Sequence, residues 1–132
     1  MAEFNLFKNG VLAPIVLEDN GVHGVKKMAG IFAKDIERVT GKAPEITAAI
    51  PNATSFVIYL GLAESAKVQN EFKDVIDTKD ISGKRETYGI FMFENPDIKG
   101  QQVLAIVGSD KRGLTYGMFH ISEIIGVSPW YF

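Results

Sequence analysis

The chain has 132 residues, 46% of them hydrophobic and 23% charged, with no cysteine, a composition that describes one globular domain around one core and excludes thiolate chemistry and Cys-based zinc sites. Its 14 Lys and Arg against 16 Asp and Glu give a formal net charge of −2, which offers polyanions no attraction and argues against nucleic acid as a partner. The longest apolar runs fall far short of the ~20 residues that a membrane span needs, and the N-terminus lacks the basic-then-apolar pattern of a signal peptide.

In chain order, Val11 to Leu17 is a weak strand candidate. Residues Gly21 to Thr40 give a clear helical signal, because Val22, Val25, Ala29, Phe32, Ile36 and Val39 recur at spacings of three and four and form one stripe. Lys26, Lys27, Lys34, Asp35 and Arg38 make its solvated face, Asn20 is a candidate cap, and Gly41 with Pro44 ends it. Glu45 to Thr47 is a second weak strand candidate. Ser55 to Leu60, closed by Gly61, is too short for a buried helix and rich in β-branched and aromatic residues, so it reads as a strand covered on both faces.

Residues Glu64 to Val75 are expected to form a short helix, followed by a polar connection through Asp77, Asp80 and Gly83. Thr87 to Phe93 and Gln102 to Val107 read as strands joined in a hairpin by the turn chemistry of Asn95-Pro96-Asp97 and Lys99-Gly100. The last helix is expected over Lys111 to Ile125, with Leu114, Met118, Ile121 and Ile125 on one stripe. Gly113 and Gly117 lie four apart within it; each weakens a helix by up to about 1 kcal/mol relative to Ala, which implies a close approach to a sheet or another backbone. The order predicts an α/β (α+β) domain, a small mixed β-sheet with helices packed on its faces.

The segment most suggestive of chemistry is Gly108-Ser109-Asp110-Lys111-Arg112-Gly113, a polar turn leading from a buried strand into a helix. Ser109 or Asp110 can cap the first turn. Lys111 and Arg112 follow at a helix N-terminus, where the macrodipole disfavours cations; next to free backbone N–H groups they suit a carboxylate or phosphate, and the plainer alternative is that they pair with acidic neighbours or with another domain. The turn is not a P-loop, since it lacks the four-residue spacer and the Gly-Lys-Ser/Thr ending. His23 and His120 are the only histidines; no metal motif surrounds them, and Glu123, three residues after His120, reads as helix surface. Ser128 lacks a G-x-S-x-G context, Gly21-Val22-His23-Gly24 lacks dinucleotide-binding spacing, and no catalytic residue, metal site or cofactor is identified.

The segment from Gly108 to Gly113, together with Tyr116-Gly117, Ser122-Glu123 and the ending Ile125-Gly126-Val127-Ser128-Pro129-Trp130-Tyr131, resembles the N-terminal domain of glycoside hydrolase family 115, the xylan α-glucuronidases. Asp35 to Gly41 with Pro44 and Gly83-Lys84-Arg85-Glu86-Thr87-Tyr88 extend the likeness, which covers roughly residues 4 to 132. Arg85 stands where the family pattern has Trp, and Phe132 departs from its usual continuation.

The resemblance implies a small α/β domain similar to the N-terminal domains of family 67 α-glucuronidases and family 20 hexosaminidases. It implies that residues 1–132 are one accessory domain ahead of a catalytic TIM barrel absent from this chain, that the full-length protein is secreted or periplasmic, and that the substrate is xylan bearing glucuronic acid. On that expectation Trp130, Tyr131 and Phe132 face the barrel, and Ser109, Asp110, Lys111 and Arg112 are candidate contacts for the sugar or its carboxylate. The competing expectation is an independent carbohydrate-binding or protein-interaction module, with Trp130, Tyr131 and Tyr116 as a stacking platform.

Overall fold

The computed structural model describes residues 7–8, 11–17, 23–42, 44–51, 54–65 and 67–127. Its main sheet has five strands: β3 (Ile15–Leu17), β4 (Ile46–Thr47), β5 (Phe56–Leu62), β6 (Tyr88–Glu94) and β7 (Gln102–Gly108). The short strands β1 (Phe7–Lys8) and β2 (Val11–Leu12) pair antiparallel in a separate ribbon. The strand expected over Val11 to Leu17 is therefore broken at Ala13-Pro14; Pro14 has no N–H to give a ladder, and its carbonyl accepts the Ile58 N–H at 2.9 Å.

In space the order is β4-β3-β5-β7-β6. Neighbours are parallel except β6 and β7, which form the expected hairpin, with Tyr88 opposite Gly108 and Glu94 opposite Gln102. Helix α1 (His23–Thr40) follows β3, and helix α2 (Lys111–Val127) follows β7. Both N-termini thus lie at the carboxyl ends of parallel strands.

Because strand side chains alternate between faces, the apolar runs of β5 and β7 supply two cores. On one face Ile15, Ile58, Leu60, Leu104 and Ile106 pack against Ala29, Phe32, Ala33 and Ile36 of α1 and Leu114, Met118 and Ile121 of α2. The opposite face, with Val16, Val57, Tyr59, Val103, Ala105 and Val107, is covered by Ala63, Val68, Phe72, Ile76 and Ile81. The result is the expected small mixed sheet with cover on both faces. No helix among the described residues is long and apolar enough to cross a membrane.

The segment expected as a helix over Glu64 to Val75 is instead a π-helical turn, Lys67–Glu71, continued by bends and turns. Its signature bond runs from the Phe72 N–H to the Lys67 carbonyl at 3.0 Å. Val68, Phe72 and Ile76 are spaced by four and all bury under the sheet; in a regular α-helix two such steps drift by about 80° around the axis, and a wider turn reduces that drift. Phe72 is the centre of this cover, edge-on to Tyr59 at 5.3 Å and to Phe93 at 5.2 Å between ring centroids.

Candidate functional site

The turn from β7 into α2 meets the residues that lead into β6, and the two are tied together by backbone groups. The Ser109 N–H donates to the Thr87 carbonyl at 2.7 Å, and the Thr87 N–H donates to Ser109 Oγ at 3.0 Å. Asp110 is the cap of α2: Oδ1 accepts the Gly113 N–H at 2.8 Å, while Oδ2 accepts the Glu86 N–H at 3.0 Å. Of the two candidate caps, Asp110 takes the role and Ser109 serves the neighbouring chain segment.

Close approach is what the glycines of this region permit. A Cβ on Gly113 would collide with the Thr87 carbonyl oxygen, and one on Gly108 with the Leu114 backbone nitrogen. At Gly117 it would meet Ile106 Cγ2 at 2.5 Å and the Tyr88 ring at 3.2 Å. The helix therefore lies directly against the sheet, as the paired glycines implied.

Electrostatics follow from these contacts. The Glu86 and Gly113 N–H groups hold the Asp110 carboxyl below the ordinary carboxylate range against the opposing effect of desolvation, with Arg112 and Arg85 adding lesser contributions. Arg112 Nη1 lies 2.9 Å from Glu86 Oε1, and that hydrogen-bonded pairing raises the guanidinium pKa further. Glu86 itself sits at φ 53°, a left-handed conformation that is uncommon outside glycine; its backbone N–H and side chain both serve the turn.

Of the four residues singled out in sequence, Ser109 and Asp110 are engaged with the backbone and Arg112 is paired with Glu86. The Lys111 side chain is exposed and makes no ion pair among the described residues. The anion-suited character of the turn is thus partly met internally: the Asp110 carboxylate occupies the position in front of α2 that a ligand anion would take, and Lys111, like Arg85 across the turn, is exposed without an ion pair among the described residues. Trp130, Tyr131 and Phe132, like Asn20 and Ser128, lie outside the described residues.

A second group lies further along α2. Tyr88, Tyr116, Phe119, His120 and Glu123 line an open depression of about 360 Å³. Tyr88 Oη and His120 Nδ1 are hydrogen-bonded at 2.8 Å, with the rings edge to face. Phe119 and Tyr88 were not singled out from the sequence, although a signal was there: Tyr116, Phe119, His120 and Glu123 fall on the face of α2 opposite the Leu114, Met118 and Ile121 stripe. Among the described residues no group of three or more His, Asp or Glu is placed to hold a metal ion.

No protein-family model matches the chain, and no curated protein matches it. Among solved structures, its fold is similar to part of a family GH115 4-O-methyl-α-glucuronidase, BtGH115A, with specificity for decorated arabinogalactans, at a TM-score of 0.62 and 24% sequence identity. The likeness covers 89% of this chain and 14% of that one, in the N-terminal portion of the enzyme. The fold expected from the resemblance of the Gly108–Gly113 turn and the Gly-Val-Ser-Pro-Trp-Tyr ending is the fold observed.

Proposed function

We propose that this chain is a non-catalytic accessory domain of a longer glycoside hydrolase of the α-glucuronidase type, packed against the catalytic barrel of the same polypeptide. The observation that carries the reading is the fold match, which spans nearly all of this chain and only 14% of the glucuronidase chain. A match of that extent leaves most of the glucuronidase chain outside the matched region, which supports an accessory role for this domain. In this reading Trp130, Tyr131 and Phe132 supply the interdomain contact, since an aromatic cluster is costly to leave in water. The full-length protein is exported and acts on polysaccharide bearing glucuronic acid, xylan included.

Within that assembly, the turn before α2 meets the acidic sugar. Lys111 is an available cation, and Arg112 reaches a ligand carboxylate only by giving up Glu86. Ser109 and Asp110 set the position of both by fixing the start of the helix.

Two measurements test the reading. Sequencing the source reading frame beyond the Phe132 codon is expected to show several hundred further residues with alternating strands and helices; a stop codon there removes the interdomain proposal. In the full-length enzyme, Lys111→Ala is expected to lower kcat/KM for a glucuronosyl substrate about tenfold with folding intact. An unchanged kcat/KM would make the turn purely structural.

A further inference from the structure

We propose that the depression bounded by Tyr88, Tyr116, Phe119, His120 and Glu123 is a binding site for a neutral pyranose ring of an oligosaccharide, separate from the anion-suited turn at the start of α2. The proposal goes beyond the interdomain reading and does not depend on it, because every residue involved belongs to this chain.

Tyr116 is 43% and Phe119 46% exposed, although aromatic side chains of this size are usually well covered. Together with the half-buried Tyr88 they offer apolar ring surface to solvent within one depression. A pyranose presents C–H groups on its faces and hydroxyls around its rim. Aromatic surface takes the former, and nearby polar groups take the latter.

Polar groups stand beside these rings and are partly held in place. Tyr88 lies against α2 at Gly117, where a Cβ would stand 3.2 Å from its ring. Its hydroxyl ties down His120 through Nδ1, a bond that does not engage Nε2. Glu123 makes no ion pair or hydrogen bond among the described residues. An imidazole nitrogen and a carboxylate beside exposed rings give a donor or acceptor set for sugar hydroxyls, and a site whose groups are already fixed loses less entropy on binding.

Charge and shape select the ligand class. No Lys or Arg lines the depression beside Glu123, so a ligand carboxylate finds no cation there and a neutral ligand needs none. A quaternary ammonium would need rings enclosing it, whereas this depression is open to solvent. The depression is shallow and open, which suits a sugar ring lying across the Tyr116 and Phe119 side chains rather than a ligand that must be enclosed.

The test is an NMR titration of the 132-residue chain with xylohexaose, with a neutral galactan oligosaccharide, and with tetramethylammonium as the rival probe. The expected result is saturable shifts at Tyr88, Tyr116, Phe119, His120 and Glu123 with at least one of the sugars. Tyr116→Ala and Phe119→Ala should each weaken that binding at least about tenfold, equivalent to 1.4 kcal/mol, in variants whose amide spectra show the fold intact. Lys99→Ala, in the β6–β7 turn at the far end of β6 from Tyr88, should leave the binding unchanged. The proposal is overturned if neither sugar produces saturable shifts at these residues, if only tetramethylammonium does, or if the same resonances move with protein concentration alone, which would make the face a self-association surface. A stop codon after Phe132 would remove the interdomain reading and leave this result intact.

Discussion

Thr87 and Ser109, 22 residues apart, bond each other twice: the Ser109 N–H donates to the Thr87 carbonyl, and the Thr87 N–H donates to the Ser109 hydroxyl. The pair locks the start of β6 to the end of β7 at the point where α2 begins. Ser109→Ala removes the acceptor and leaves a half-buried N–H without it. We expect a loss of about 1–2 kcal/mol, read from urea denaturation, with Ser109→Thr recovering most of it. If the alanine variant matched the parent, water would be replacing the hydroxyl at no cost.

Asp110 makes stability depend on acidity. Its carboxyl is held below the ordinary carboxylate range chiefly by the Glu86 and Gly113 N–H groups. A group whose folded pKa is depressed stabilises fully above its unfolded value and loses that contribution as pH falls through the folded value. Asp110→Asn retains an acceptor for Gly113 but no charge. The stability difference between parent and variant should therefore be largest near pH 7 and shrink below about pH 4, as denaturation curves at several pH values would reveal. A difference independent of pH would mean that the ionised form brings no advantage.

Gly113 and Gly30 should respond oppositely to alanine. At Gly113 the added methyl would strike the Thr87 backbone, whereas at Gly30, in the middle of α1, it would meet nothing within 4 Å. Gly113→Ala should cost about 1–3 kcal/mol or more through overpacking. Gly30→Ala should stabilise by up to about 1 kcal/mol through helix propensity. Thermal melts of the two variants check both signs.

Gln101, only 1% exposed, ties the β6–β7 turn to the segment before β5. Its Nε2 donates to the Pro51 carbonyl at 2.7 Å and the Thr54 carbonyl at 3.0 Å, and its Oε1 accepts from Asn95 Nδ2 at 2.9 Å. Gln101→Leu fills similar space but strands all three partners. It should cost at least about 2 kcal/mol, and amide exchange should quicken at the Asn95 end of the hairpin. Normal stability in this variant would mean that solvent reaches those groups.

Much of the architecture was legible because periodicity and glycine placement carry it. The stripe through Ala29, Phe32 and Ile36, the two apolar runs ending at Gly61 and Gly108, and Gly113 with Gly117 all led to the right packing. The cover over the second face was harder to read: Val68, Phe72 and Ile76 signalled a helix, but the selected geometry depends on Tyr59 and Phe93, which are distant in sequence. The turn before α2 was recognisable as a cap flanked by cations. That Arg112 would answer to Glu86 was not, because the pairing depends on how β6 and β7 are registered. The aromatic depression stayed hidden for the same reason, since Tyr88 joins Tyr116, Phe119 and His120 only once β6 lies beside α2.

The antiparallel pairing of β6 with β7 also has a kinetic consequence. The segment from Tyr88 through α2 is continuous in sequence, and its hairpin closes through the short Asn95–Gln101 turn, so its loop-closure entropy is small. The parallel pairings of β3 with β5 and of β5 with β7 join strands more than 35 residues apart and incur a larger closure cost. The carboxyl-terminal third is therefore expected to form first, with β5 and then β3 and β4 adding at the edge of β7. Amides of β7, bonded on both sides, should exchange most slowly with solvent, and the short β3–β4 edge most readily.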